Sequence, residues 1–278
     1  MTINPVYKRE MTVSSRSIRL ALILAAFNFV LAIFAIVLMA VVVEQARQDA
    51  QISYGSFLDI FRYVAIIEFA LVIIIVPALT SGAISGERER KTLELMLTTK
   101  LTPRRIVFGK LEAALSTVIV LIISSLPVLA LVFAYGGVTV LNMLALIAAY
   151  FAAAYFAAAI GIYSSAICRK STAAVTIAYL TLLVIIAGTI AAVVLKYNLS
   201  GNIGGWFDLL LINPAATFYA IVSSITGNRQ IITELAGVLG SSTEIFDQNQ
   251  WATAGTLIQT VFATVLTTFA VGRIKKKH

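Results

Sequence analysis

Residues 85 to 110 read SGERERKTLELMLTTKLTPRRIVFGK, the longest strongly charged interval in a chain that is otherwise mostly apolar. At helical spacing Leu93, Met96, Leu97 and Leu101 fall on one face, while Glu87, Arg90, Lys91 and Glu94 fall on the opposite one. That pattern predicts an amphipathic helix over 85–102. Ser85 is placed to cap its start, and Glu87 and Glu89 then sit at the positive end of the helix dipole. Pro103 ends it, because proline cannot continue a helix and pushes Thr102 out of the α region. Thr102 can then cap a new helix with Pro103 at its first position. On composition alone a charged stretch of this kind is equally well read as a solvated connector between apolar segments.

The surrounding chain decides what is being connected. Of its 278 residues, 60% are hydrophobic and only 12% charged, and the mean hydropathy is +0.95. Those values exclude a soluble domain and predict an integral membrane protein. The net charge of +8 lies in short segments beside apolar runs, with no basic face interleaved with aromatics. It therefore points to membrane topology and anionic lipid, and not to nucleic acid. One cysteine, Cys168, and one histidine, His278, leave no intrachain disulfide and no metal-ligand spacing.

The chain reads as one all-α transmembrane domain, 1–278. Its start, NPVYKREMTVSSRSIRL, offers Asn4 as a cap and Pro5 at the first helical position, with apolar residues among Lys8, Arg9, Arg16 and Arg19. It predicts an interfacial helix over 4–18. The first apolar run is too long for a cleaved leader, so the N-terminus is expected to be retained. Six stretches are long enough to cross the hydrocarbon core, near Leu20–Val43, Phe61–Ile84, Ile106–Ala134, Leu141–Ile167, Thr172–Leu195 and Trp251–Val271. Of the 21 Lys and Arg residues, 17 fall at one set of ends, which places both termini and the opening stretch in the cytoplasm. The segment 197–250 contains LLLINPAATFYAIVSSITG, nearly a seventh span. An extra crossing would put the basic C-terminus outside, and Asn213-Pro214 interrupts the run. Short helices that lie on or dip into the outer leaflet are therefore expected there, followed by a modest external cap through Arg229, Glu234, Glu244 and Asp247.

Within the spans, Glu68 is the strongest polar signal. A carboxyl at that depth is costly and either packs with a hydrogen-bond partner or faces a translocation path. Ala157, Gly161 and Ser165 recur every four residues in the fourth span, as close helix packing requires. No GxxxxGK[ST] loop occurs, since Gly109-Lys110 lacks both the earlier glycine and the following hydroxyl residue, and no HExxH or GxSxG motif is present. The chain is not expected to be an enzyme, so any uphill transport must be driven by a partner or an ion gradient.

With these residues in view, the opening stretch resembles the intracellular loop of ABC-2-type transporter permeases. The matching elements are the charged run Glu87 to Lys91, then Thr92-Leu93-Glu94, Leu95 to Leu97, Thr102-Pro103 and Gly109-Lys110. The family often has glycine where this chain has Lys91, and a proline sooner after the threonines. The likeness extends to the whole layout of six spans with an irregular external segment before the last. It implies a half-transporter: two permease chains, identical or homologous, with separate ATPase subunits that carry the ATP and Mg, this chain binding no cofactor. It also implies that the loop is a coupling helix seated in the ATPase. Leu93, Met96 and Leu97 are then expected to fill an apolar groove, with Glu87, Arg88, Glu89, Arg90 and Glu94 as polar contacts.

The leading expectation is thus the permease subunit of an ATP-driven exporter in the cytoplasmic (inner) membrane of a prokaryote. A small amphipathic molecule, peptide or lipid is the expected cargo. The alternatives are an ion-gradient transporter with Glu68 as ion site, and a membrane scaffold that transports nothing.

Overall fold

The computed structural model describes residues 4–49, 54–98, 101–134, 138–201, 204–227 and 248–275. Among them six helical segments are long and apolar enough to cross a membrane: Ile18–Glu44, Leu58–Glu89, Pro103–Ala130, Val140–Ile167, Ser171–Ser200 and Gln250–Ile274. The protein is a multi-pass, all-α membrane protein, as the apolar run lengths predict. We label the helices α1 (Pro5–Ser15), α2 (Ile18–Asp49), α3 (Tyr54–Thr80), α4 (Ser85–Glu89), α5 (Thr92–Thr98), α6 (Pro103–Ala134), α7 (Val140–Ile167), α8 (Ser171–Leu183), α9 (Thr189–Ser200), α10 (Pro214–Ile225) and α11 (Gln248–Lys275).

The short α1 begins as its sequence predicts, with the Asn4 side chain accepting from the Val6 amide at 3.1 Å and Pro5 in the first turn. It lies against the start of α6 because Gly109 has no side chain. A Cβ there would stand 2.8 Å from the Asn4 amide nitrogen and 2.9 Å from the Val6 Cβ. The next residue, Lys110, fastens the contact with a 2.7 Å ion pair to Glu10. The Gly-Lys pair therefore docks α1 on α6.

The fourth span is the centre of the bundle. From Ala153 to Ala166 nearly every residue of α7 is buried, whereas α2 turns Leu22, Phe29 and Ile36 outward at 62%, 67% and 68% exposure. The small residues of α7 let α3 cross it closely. A Cβ on Gly161 would collide with the Thr80 hydroxyl and lie 3.0 Å from the Thr80 Cβ. One turn on, the Ser165 hydroxyl accepts from the Ile84 and Ser85 amides, each at 2.9 Å.

Between the fifth and sixth spans the chain folds back. A 3-10 segment, Gly204–Ile212, and α10 meet at 96°. Asn213, at the bend, accepts from the Ala215 amide at 2.9 Å and donates to the Ile186 carbonyl at 3.0 Å and the Thr189 hydroxyl at 2.8 Å. Those acceptors belong to or border a π-helical turn, Val184–Gly188, inside the fifth span; such turns disturb the regular α-helical pairing of backbone groups. One residue thus caps the returning helix and ties it to the neighbouring span. The segment 197–250 is trimmed at both ends, since α9 runs to Ser200 and α11 starts at Gln248. The predicted cap residues Arg229, Glu234, Glu244 and Asp247 lie outside the described residues.

The single helix expected over 85–102 is corrected to two short ones. The chain breaks at Arg90-Lys91, where Lys91 adopts a left-handed φ of 57°. Thr92 then folds back on Glu87, its hydroxyl donating to the Glu87 carbonyl at 3.1 Å and also meeting the carboxylate. Nor does Ser85 act as a cap: its hydroxyl donates to the Ser81 carbonyl at 3.1 Å. Thr102 does open α6, accepting from the Arg105 amide at 3.4 Å.

Candidate functional site

Every charged residue of α4 is engaged with the bundle beside it. Arg88 donates through both terminal nitrogens to the carbonyls of Cys168 and Ala166, the latter at 3.1 Å, at the C-terminus of α7. Glu89 accepts from the Ser171 amide at 3.1 Å and its hydroxyl at 2.6 Å, at the first turn of α8. A cation on orphan carbonyls and an anion on an orphan amide each complement the helix dipole they touch. On the other side Glu87 faces Lys110 at 3.4 Å, and Lys110 also holds Glu10 of α1. Lys110 is 5% exposed, a position where losing one partner strands a charge. Residues 87–89 therefore strap together α1 and α6 on one side and the α7–α8 turn on the other.

α5 divides differently from the sequence expectation. Leu93 is 6% exposed and belongs to the chain's own core. Leu97 packs against the same core and Met96 is half-buried. Leu93 and Leu97 share a face that covers this bundle, so Leu93 is not free to enter another protein's groove. Leu101, expected on the same face, falls beyond the end of α5 at Thr98. The side chain left outside is Leu95, at 66% exposure, with Arg90, Lys91 and Glu94 also exposed. Leu95 lies off the apolar stripe that periodicity picks out, which is why the expected contact set lacks it.

The left-handed Lys91 is strained, since an L-residue there brings Cβ against the following carbonyl at a cost of about 1–2 kcal/mol. Glycine carries no such penalty. Lys91→Gly is expected to stabilise the protein by about 1 kcal/mol, raising the thermal unfolding midpoint in detergent by a few degrees. A lower midpoint would show that the turn is not strained.

Glu68 is far from this strap. It is fully buried between α3, α6 and α7 and accepts a hydrogen bond from Ser125 of α6. Its second carboxylate oxygen is buried without a partner. Tyr150 of α7 donates to the Ala65 carbonyl at 3.0 Å. Phe218 of the returning helix stacks on both Phe69 and Tyr150, at 4.3 and 5.1 Å between centroids. So α10 reaches the level of Glu68, deeper than a helix lying on the outer surface. Gln259 of α11, unnoticed in the sequence, holds it there by donating to the Leu211 carbonyl at 2.9 Å and the Thr217 hydroxyl at 3.0 Å. The sequence thus singled out two groups that the fold keeps apart, a strap at the basic end of the bundle and a carboxyl in its middle.

Compared with known protein families, residues 44–272 match a family described as ABC-2 family transporter protein. A comparison with curated proteins returns no match.

Proposed function

The chain belongs to the ABC-2 transporter family, and from that premise we propose that it is the permease subunit of an ATP-driven exporter. Separate ATPase subunits, which carry the ATP and Mg, dock against its 85–98 loop. A second permease chain completes the pathway. Both termini and the loop face the cytoplasm, in the inner membrane of a prokaryote, as the distribution of Lys and Arg favours. Cargo is a small amphipathic molecule, peptide or lipid. Glu68, at the junction of α3, α6 and α7, is the polar group that helix separation would uncover along the path.

The observation that carries this reading is the strap. A loop that only joined two spans would have little use for three consecutive charged residues each committed to a different helix end or helix. A loop that receives force does, because displacement then passes to α1, α6, α7 and α8 together. The ion-gradient and scaffold alternatives have no comparable observation in their favour.

The surface offered to the ATPase is centred on Leu95, with Arg90 and Glu94 as polar neighbours. Placing a carboxylate at a buried interface anchor costs at least about 1.4 kcal/mol, or tenfold in affinity. Leu95→Asp is therefore expected to reduce co-purification of the ATPase about tenfold or more, with the permease inserted and its unfolding midpoint unchanged. Full retention of the ATPase by Leu95→Asp would remove this docking surface. Leu93→Asp is a poorer test, because it buries a charge in the permease itself.

A further inference from the structure

A cleft of about 500 Å³ opens between α5, the α7–α8 turn and the end of α11. Three cations, Arg88, Lys91 and Arg169, line it together with one carboxylate, Glu94, and with Leu93, Leu97 and Ile274. Among the described residues none of the three cations is in an ion pair. Both terminal nitrogens of Arg88 are committed to the Cys168 and Ala166 carbonyls, so Lys91 and Arg169 are the cations left to meet an anion. The three cations outnumber the single carboxylate, and a guanidinium fork such as that of Arg169 suits phosphate oxygens in particular.

Two further observations identify the anion. Ile274 is the last residue of the sixth span, and Arg169 lies just past Ile167, the last of the fourth. The cleft therefore sits where hydrocarbon gives way to headgroups, with both apolar and cationic side chains lining it. A basic pocket between spans at that level fits an anionic lipid headgroup. The other observation is Lys91 itself, held at φ 57° in a position glycine would occupy without strain. Backbone strain persists where a side chain is needed, and what glycine lacks here is the ammonium group.

We infer that this cleft binds the phosphate headgroup of an anionic phospholipid of the same leaflet. The lipid then bridges α5, the α7–α8 turn and α11 beside the strap, and lies clear of Leu95, which is not among the residues lining the cleft. The proposal goes beyond the coupling role and does not depend on an ATPase being bound.

The test uses the purified full chain in nanodiscs of phosphatidylcholine, alone or mixed with phosphatidylglycerol, with native mass spectrometry counting retained lipid and thermal unfolding in parallel. Phosphatidylglycerol is expected to be retained and to raise the unfolding midpoint. Arg169→Gln and Lys91→Gly are each expected to weaken retention about tenfold, and Lys91→Arg to restore it. Lys91→Gly should at the same time be more stable than the parent protein in phosphatidylcholine alone, a pairing of signs that a merely structural lysine would not give. Retention of phosphatidylglycerol unchanged by both substitutions, or matched by phosphatidylcholine, overturns the site. Displacement of the lipid by inorganic phosphate makes a free anion the ligand and overturns the lipid assignment. If an acidic peptide displaces the lipid while inorganic phosphate does not, the cleft is a protein-docking site and the proposal is likewise lost.

Discussion

Gly161→Val is expected to lower the thermal unfolding midpoint by about 10 °C, since overpacking of a tight core contact costs about 3 kcal/mol and each kcal/mol shifts a protein of this size by roughly 2–4 °C. The cause is local. The position of a Cβ at Gly161 is already taken by the Thr80 hydroxyl, with the Thr80 Cβ at 3.0 Å and the Ser81 amide at 3.3 Å. The hydroxyl cannot simply swing away, because it donates to the Val76 carbonyl at 2.9 Å inside a buried helix crossing. Backbone must move instead, and with it the amides of Ile84 and Ser85 that bond to Ser165. Gly272→Ala is the matched control: a Cβ there meets nothing within 4 Å, so the helix gains about 0.5–1 kcal/mol and the midpoint should rise slightly. Opposite shifts for the two, read by fluorescence-detected size exclusion after heating, are the expected result. A Gly161→Val protein that unfolds within a degree of the parent would mean that α3 and α7 do not cross at this point.

Much of this architecture was legible in the residues. Six runs of sufficient length gave six spans, because in hydrocarbon a helix is the only way for a short segment to pair all its own backbone groups. The Ala157, Gly161 and Ser165 spacing predicts close packing on α7, though not that α3 is the helix it admits, for the same reason that small residues matter in any bilayer, where apolar bulk by itself does not favour one contact over another. Asn213-Pro214 marked the bend at the start of α10. The loop was legible only in part. Its expected apolar face is Leu93, Met96, Leu97 and Leu101. Leu93 and Leu97 do turn to one core while Leu101 lies past the end of α5, and periodicity cannot say which protein such a face covers. One left-handed residue, Lys91, also made the angular relation of α4 to α5 independent of the 3.6-residue repeat. The resemblance held a hint of this, since the family often places glycine there. Partners such as Ser171 for Glu89, or Gln259 for Thr217, are 82 and 42 residues distant in sequence. No local pattern could have found them.

The strap supplies the second large effect. In the double substitution Arg88→Gln with Glu89→Gln, the loop keeps its outer face but loses both charged attachments to the α7–α8 turn. Hydrogen bonds to charged groups contribute about 1.5–3 kcal/mol each where they are shielded from water, and less at Glu89, whose carboxylate is exposed. The Glu87, Lys110 and Glu10 network is untouched, so α1 and α6 stay fastened. ATPase subunits should therefore bind and hydrolyse ATP as before, while the movement reaching α8 falls at least about tenfold, the equivalent of 1.4 kcal/mol of lost coupling. The measurement needs no knowledge of cargo. Spin labels at Ile123 of α6 and Leu183 of α8, both exposed at 59% and 61%, report the distance between these helices with and without nucleotide in a Cys168→Ser background. In the parent protein that distance should shift on ATP binding; in the double variant the equilibrium constant for the shift should fall at least about tenfold at equal ATPase occupancy. A full shift in the variant would show that force reaches α8 by another route. Loss of ATPase binding would instead place Arg88 and Glu89 at the docking surface, in contact with the motor and not with the spans it drives.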